Sequence, residues 1–235
     1  MSRPAILILF AALFFSCAIN ASAQTTIFNV PLADTLQRGT VAIEADFVAK
    51  PVRNKKGGYQ SYGYRLAYGL RNKTEIGSNF YYSWDGRDPA GQAEFSLKQK
   101  FYEDERRGVK VTGGGVAFIP LKATRGERRH FMTYANASKT IKRANGLTLT
   151  GGIYHISGGG RDFGTRTGAI VGIVQPISQR LSLVADWYSG ANRLGYSSVG
   201  FNVNITKQQY LTAGYSFGNE GRGNNNLAVF YGFIF

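Results

Sequence analysis

The stretch Val41-Ala42-Ile43-Glu44-Ala45-Asp46-Phe47 alternates apolar side chains with small or charged ones. In an extended chain successive side chains point to opposite faces, so Val41, Ile43, Ala45 and Phe47 share one face while Glu44 and Asp46 share the other. A helix would scatter both sets around its circumference, so period two reads as a strand. The next stretch repeats the pattern, with Tyr62, Tyr64, Leu66, Tyr68 and Leu70 on one side and Arg65 on the other.

Working outward from there, alternation recurs in blocks of about ten residues, separated by Gly, Asn, Asp, Pro and basic clusters. It predicts strands near 39–50, 59–70, 74–84, 91–102, 108–119, 129–140, 146–157, 165–175, 180–189, 196–206, 209–217 and 226–235. The apolar face continues through Phe95 and Leu97, through Leu181, Leu183 and Trp187, and through Val199, Phe201 and Val203. Its one formal charge is Lys139, at a strand end. The opposite face takes Glu44, Asp46, Arg65, Glu75, Glu94, Lys98, Lys100, Lys110, Arg166 and Asp186.

A charge on a lipid-facing strand at mid-bilayer costs about 2–4 kcal/mol, so a face cleared of charge along every strand is what a hydrocarbon solvent enforces. Strands cross lipid only as a closed barrel, because an open edge would leave N–H and C=O groups without partners. The expected fold is therefore all-β: a transmembrane, antiparallel, up-and-down β-barrel of twelve strands, spanning residues 24–235 as one domain. The connections alternate between tight basic turns, such as Arg71-Asn72-Lys73, and longer loops, such as 51–58 and 218–225. Short periplasmic turns and long external loops are the habit of outer-membrane barrels. Trp84 and Trp187 then fall at external strand ends, and Tyr68, Phe101 and Phe235 at internal ones, as two aromatic girdles.

The composition agrees. The 235 residues are 43% hydrophobic with 30 Gly, 14 Tyr and 16 Phe, an aromatic load that a disordered chain lacks. The longest apolar run, residues 5–19, is shorter than the roughly 20 residues of a spanning helix. Preceded by Arg3 and followed by Ala21-Ser22-Ala23, it has the layout of a secretory signal peptide over residues 1–23, which implies export. Cys17 lies within that segment, so a disulfide framework or multi-cysteine metal site is not expected. A net charge of +14 raises the question of nucleic acid, but the cations sit in connections and the aromatics in strands, not interleaved on one surface. Lipopolysaccharide phosphate is the more natural partner for external Arg and Lys.

The signal-peptide layout, the alternating strands and the ending Val229-x-Tyr231-x-Phe233-x-Phe235 resemble bacterial outer-membrane β-barrel proteins, in particular functionally uncharacterised barrels of about this size. The resemblance implies that Phe235, supported by Phe233 and Tyr231, forms the signal read by the barrel-assembly machinery. It implies location in the bacterial outer membrane, among outer-membrane lipid and lipopolysaccharide.

On function, the mixed-sign inner face suggests a passive diffusion pore for small hydrophilic solutes, most simply a monomer, without cofactor or metal. Inner-face small residues, among them Gly63, Gly69, Gly77, Gly172, Gly200 and Gly232, read as residual space. The same charges could instead pair and plug the interior, leaving a non-conducting structural or lipopolysaccharide-binding barrel. A further alternative is an outer-leaflet lipid hydrolase on His155-Ile156-Ser157, which resembles the His-x-Ser of outer-membrane phospholipase A. The matching face of the next strand offers Thr165, Thr167 and Ala169 rather than an amide or acid to orient the imidazole.

Overall fold

The computed structural model describes residues 25–122, 128–221 and 225–235; the signal peptide expected over residues 1–23 lies outside them. The described chain contains β1 (Val41–Lys50), β2 (Tyr59–Arg71), β3 (Thr74–Trp84), β4 (Pro89–Asp104), β5 (Val109–Pro120) and β6 (His130–Ile141). It continues through β7 (Leu147–Gly158), β8 (Thr167–Pro176), β9 (Leu181–Tyr188), β10 (Tyr196–Asn204), β11 (Gln209–Gly218) and β12 (Asn226–Ile234). Each strand pairs with its sequence neighbours, and β1 pairs with β12, so the twelve strands close into an antiparallel barrel. Every strand lies within two residues of its expected limits.

The closing seam runs from Ala42 opposite Ile234 to Ala49 opposite Leu227. It is finished by reciprocal backbone bonds between Val41 and Phe235, at 3.0 and 2.8 Å. Closure removes both free edges, which is what an interior without water requires.

The two faces separate as the alternation dictates. Ile43, Tyr64, Leu66, Leu97, Leu183, Val199 and Phe201 are exposed on the outside, whereas Glu44, Asp46, Glu75, Lys98, Lys100 and Asp186 are buried inside. Two irregularities interrupt the pairing, between Gly69 and Arg71 in β2 and between Lys100 and Tyr102 in β4. The second makes Phe101 an extra residue, so Phe101 and Tyr102 are both exposed outside and the following Glu103 turns inward. Strict alternation would have sent Tyr102 inward.

The interior is not empty. Residues 25–38 precede β1 and fold back into the lumen from the short-turn end. Ile27, Phe28, Val30, Leu32, Ala33 and Leu36 are all buried there. Ile27, Phe28 and Leu32 pack with Val184, Ala228 and Phe230, while Val30 packs with Phe118, Met132, Ile156 and Ile170. Of the inner-face glycines read as residual space, Gly69, Gly172 and Gly200 seat this segment, whereas Gly63, Gly77 and Gly232 face the wall side chains of Tyr81, Ser96 and Tyr210. A Cβ on Gly69 would lie 1.9 Å from the Gln37 carbonyl oxygen, and one on Gly200 would lie 2.8 Å from the Phe28 ring. At Gly69, Gly172 and Gly200 the missing side chain is room that the inserted segment occupies.

Candidate functional site

The inserted segment has its own local order. Ile27 N–H donates to the Val30 carbonyl at 3.0 Å and Leu32 N–H to the Thr25 carbonyl at 2.9 Å, closing a compact turn. A turn of this kind leaves several backbone groups unpaired, and in a buried lumen each must find a partner. The barrel wall supplies them.

At the head of the turn, the N–H groups of Phe28, Asn29 and Val30 converge on one oxygen of Asp186, at 3.1, 2.8 and 3.0 Å. A carboxylate accepting several backbone donors is a strong, charge-assisted anchor. On the return arm, Lys98 donates to the carbonyls of Thr25 and Asp34, at 2.9 and 3.0 Å, and pairs with Glu75 at 3.3 Å. Glu75 in turn accepts from Leu36 N–H at 2.9 Å and from the Thr25 hydroxyl at 3.1 Å. Asn136 donates to the Pro31 carbonyl, and Lys110 pairs with Asp34.

Above the turn lies a second charged cluster. Arg65 contacts Asp46 at 2.6 Å and Glu44 at 3.4 Å, and stands 4.7 Å over the Phe230 ring. Tyr81 donates to Asp46 at 3.0 Å and Tyr210 to Glu44 at 2.8 Å, so the cluster is knitted across β1, β2, β3 and β11. Arg65 also reaches the Phe28 carbonyl at 3.4 Å, joining the cluster to the inserted segment.

Of the predicted inner-face residues, Glu44, Asp46, Arg65, Glu75, Lys98 and Asp186 thus meet inside the barrel, in contact with one another or with residues 25–38. Lys100 pairs with Glu103 at 2.7 Å at the short-turn end. Glu94 stands higher, facing an open chamber. Arg166 occupies the long-loop rim, where its guanidinium donates to the carbonyls of Gly158 and Gly160 and ties down the loop after β7. Trp84, Tyr68, Phe101 and Trp187 are all exposed on the outer wall. Tyr231, Phe233 and Phe235 stack along the outer face of the closing seam, with ring centroids 5.1 and 6.1 Å apart.

The chamber has a volume of about 350 Å³ and is reached from the long-loop end. Thr26, Phe28, Asn29 and Pro31 of the inserted segment form its floor. Sequence reasoning missed this segment because nothing in residues 25–38 has a period; the signal available was an apolar run, Ile27, Phe28, Val30 and Leu32, too short for a strand of the barrel and followed by charged Asp34.

His155 and Ser157 face outward on β7. The imidazole Nδ1 lies 2.8 Å from the Thr167 hydroxyl, and the Ser157 hydroxyl donates to the Phe131 carbonyl at 3.4 Å. Each therefore bonds to a different neighbour. Among the described residues no group of three or more His, Cys, Asp or Glu is placed to hold a metal ion.

No protein-family model matches the sequence, and no curated protein is significantly similar to it. Solved structures are. The chain is similar to the KdgM porin in complex with disordered oligogalacturonate, with a TM-score of 0.62, 6% identity, and coverage of 83% of this chain and 99% of that one. It is similar to an outer-membrane channel from Pseudomonas putida F1, with a TM-score of 0.55, 14% identity and coverage of 86% and 98%. It is also similar to outer-membrane phospholipase A from Escherichia coli, with a TM-score of 0.51, 13% identity and coverage of 91% and 98%. At these identities the likeness concerns the fold: the chain has the architecture of bacterial outer-membrane β-barrels.

Proposed function

We propose that this protein is an outer-membrane channel for small hydrophilic solutes, closed at its short-turn end by residues 25–38 and opened when that segment leaves the lumen. The supporting observation is that the inserted segment is not part of the barrel. All twelve strands pair without it, and the wall behind it carries the charged residues Glu75, Lys98 and Asp186. Vacated, that wall becomes a wet, mixed-sign lining that screens solutes by size and charge. Twelve strands fall between the eight that leave room only for side chains and the 16–18 of an open porin, so the released lumen is a narrow conduit. The long loops face the cell exterior in this reading, where Arg53, Lys55, Lys56, Arg128 and Arg129 complement lipopolysaccharide phosphate.

A tether tests it. The Ala33 backbone nitrogen lies 3.3 Å from the Ser138 hydroxyl, so cysteines at these two positions can lock the segment to β6. In planar bilayers the wild type should give discrete conductance steps. The Ala33→Cys/Ser138→Cys protein should be silent when oxidised and conduct after reduction. Steps unaffected by the lock would show that ions do not pass where the segment sits. Consistent silence of folded wild type under all voltages would return the barrel to a structural role. Acyl release from phospholipid that vanishes in Ser157→Ala would replace the channel by a hydrolase.

A further inference from the structure

We propose that the chamber above the inserted segment is a binding site for an uncharged, polyhydroxylated solute of about disaccharide size. The proposal rests on the channel reading only in taking the chamber as the entrance to its path.

A continuous hydrogen-bonded chain borders the chamber at its long-loop end. Arg193, in the connection between β9 and β10, donates to the Gln92 side-chain oxygen at 2.7 Å. The Gln92 amide donates to one oxygen of Glu94 at 2.6 Å, and Asn79 donates to the other at 2.9 Å. β4 and β10 stand on opposite sides of the twelve-strand ring, so this chain crosses the mouth. Its members are planar, forked groups, two of them charged, that present donors and acceptors in alternation. Vicinal hydroxyls, each both donor and acceptor, are the ligand groups that match such a series. Glu94 accepts one bond at each oxygen and retains lone pairs for more.

Phe118, Tyr134 and Tyr188, of β5, β6 and β9, border the cavity as buried side chains, with Phe118 stacked on His130 and Tyr188 packed against Tyr154, so they close the wall opposite the polar series. The chamber wall offers an ion no single sign. Lys98 already pairs with Glu75 and Arg65 with Asp46 and Glu44, while Glu94 and Arg193, one of each sign, are joined through Gln92, so an ion entering beside these last two would shed water to meet both an opposite and a like charge. A volume of about 350 Å³ is at the small end of ligand pockets and accommodates one or two sugar rings.

The test is calorimetric titration of the folded full chain in detergent with maltose and sucrose, and with choline chloride and sodium gluconate as cationic and anionic comparators. At least one neutral disaccharide should bind saturably and more tightly than either comparator. Glu94→Gln should weaken that binding about tenfold, the loss expected for one charge-assisted contact. Ala90→Trp, placed to fill the chamber from β4, should abolish it; Ser61→Phe fills it from β2 and should do the same, which guards against a folding defect in either one. Absence of saturable binding by both disaccharides, preference for a charged comparator, or indifference of both filled variants would overturn the assignment. Binding to the closed protein needs no conduction. Sugar binding by a silent barrel would therefore sink the channel alone, and conduction without sugar binding would sink this site alone.

Discussion

Asp186 is the residue on which the interior turns. Its carboxylate accepts three backbone N–H groups from the head of the inserted turn. Asp186→Ala leaves those donors buried and unpaired, at a cost of about 1–3 kcal/mol to the inserted state. If release of residues 25–38 opens the lumen, the open probability of single channels should rise roughly ten- to a hundredfold, since about 1.4 kcal/mol is a factor of ten. Lys98 makes a different prediction. It holds Thr25, Asp34 and Glu75 in the closed form, and once the segment leaves it is a cation on the path beside Glu75. Lys98→Gln should both favour opening and move the reversal potential in a salt gradient toward greater cation selectivity, because Glu75 then stands unopposed. Unchanged reversal potentials would show that this side chain does not line the path.

Two elements depart from simple alternation, and each has a local cause. In β4 the extra residue Phe101 lets two aromatics, Phe101 and Tyr102, face outward and delivers Glu103 to Lys100 and Lys110 inside, at 2.7 and 3.6 Å. The bulge thus re-aims a strand end that strict alternation would have left with a tyrosine inside and an acid outside. β12 is the last strand to be made and the one that closes the ring on β1. Removal of Phe235 deletes the reciprocal backbone bonds to Val41 and the last ring of the Tyr231–Phe233–Phe235 stack. The yield of folded barrel, read as the fraction migrating in its compact form on unheated gels, should fall severalfold both in cells and on refolding into vesicles. A loss confined to cells would assign Phe235 to recognition by the assembly machinery, and a loss confined to vesicles to closure itself.

For the whole molecule the controlling quantity is the solvent on each side of the wall. Outside, the exposed belt of Tyr64, Leu66, Leu97, Leu183 and Phe201 is apolar around the ring, as hydrocarbon demands. Leu66→Lys, midway along β2, should lower the unfolding free energy in vesicles by about 2–4 kcal/mol, measured by urea titration. A cost well below that would mean that water reaches this face. Inside, the wall is divided. The charged residues of β1 to β4 crowd one flank, while Met132, Tyr154, Ile156 and Ile170 of β6 to β8 make the other apolar. Such a lumen suits a segment with one polar and one apolar side better than it suits bulk water, which is why residues 25–38 fill it.

Strand positions, inward and outward faces and closure were all legible in the sequence, because alternation is a local property and hydrocarbon vetoes charge along the outward face of each strand independently. The occupancy of the lumen was not. Residues 25–38 show no period, and their partners lie between 39 residues away, for Leu36 and Glu75, and 158 residues away, for Phe28 and Asp186. Inward Gly69 and Gly200 looked like empty space when each was read alone, although their absent side chains are the volume into which Gln37 and Phe28 fit. Which charges face inward follows from the pleat; which of them hold a plug and which border a chamber depends on distances across a closed ring, and only the closed ring sets those.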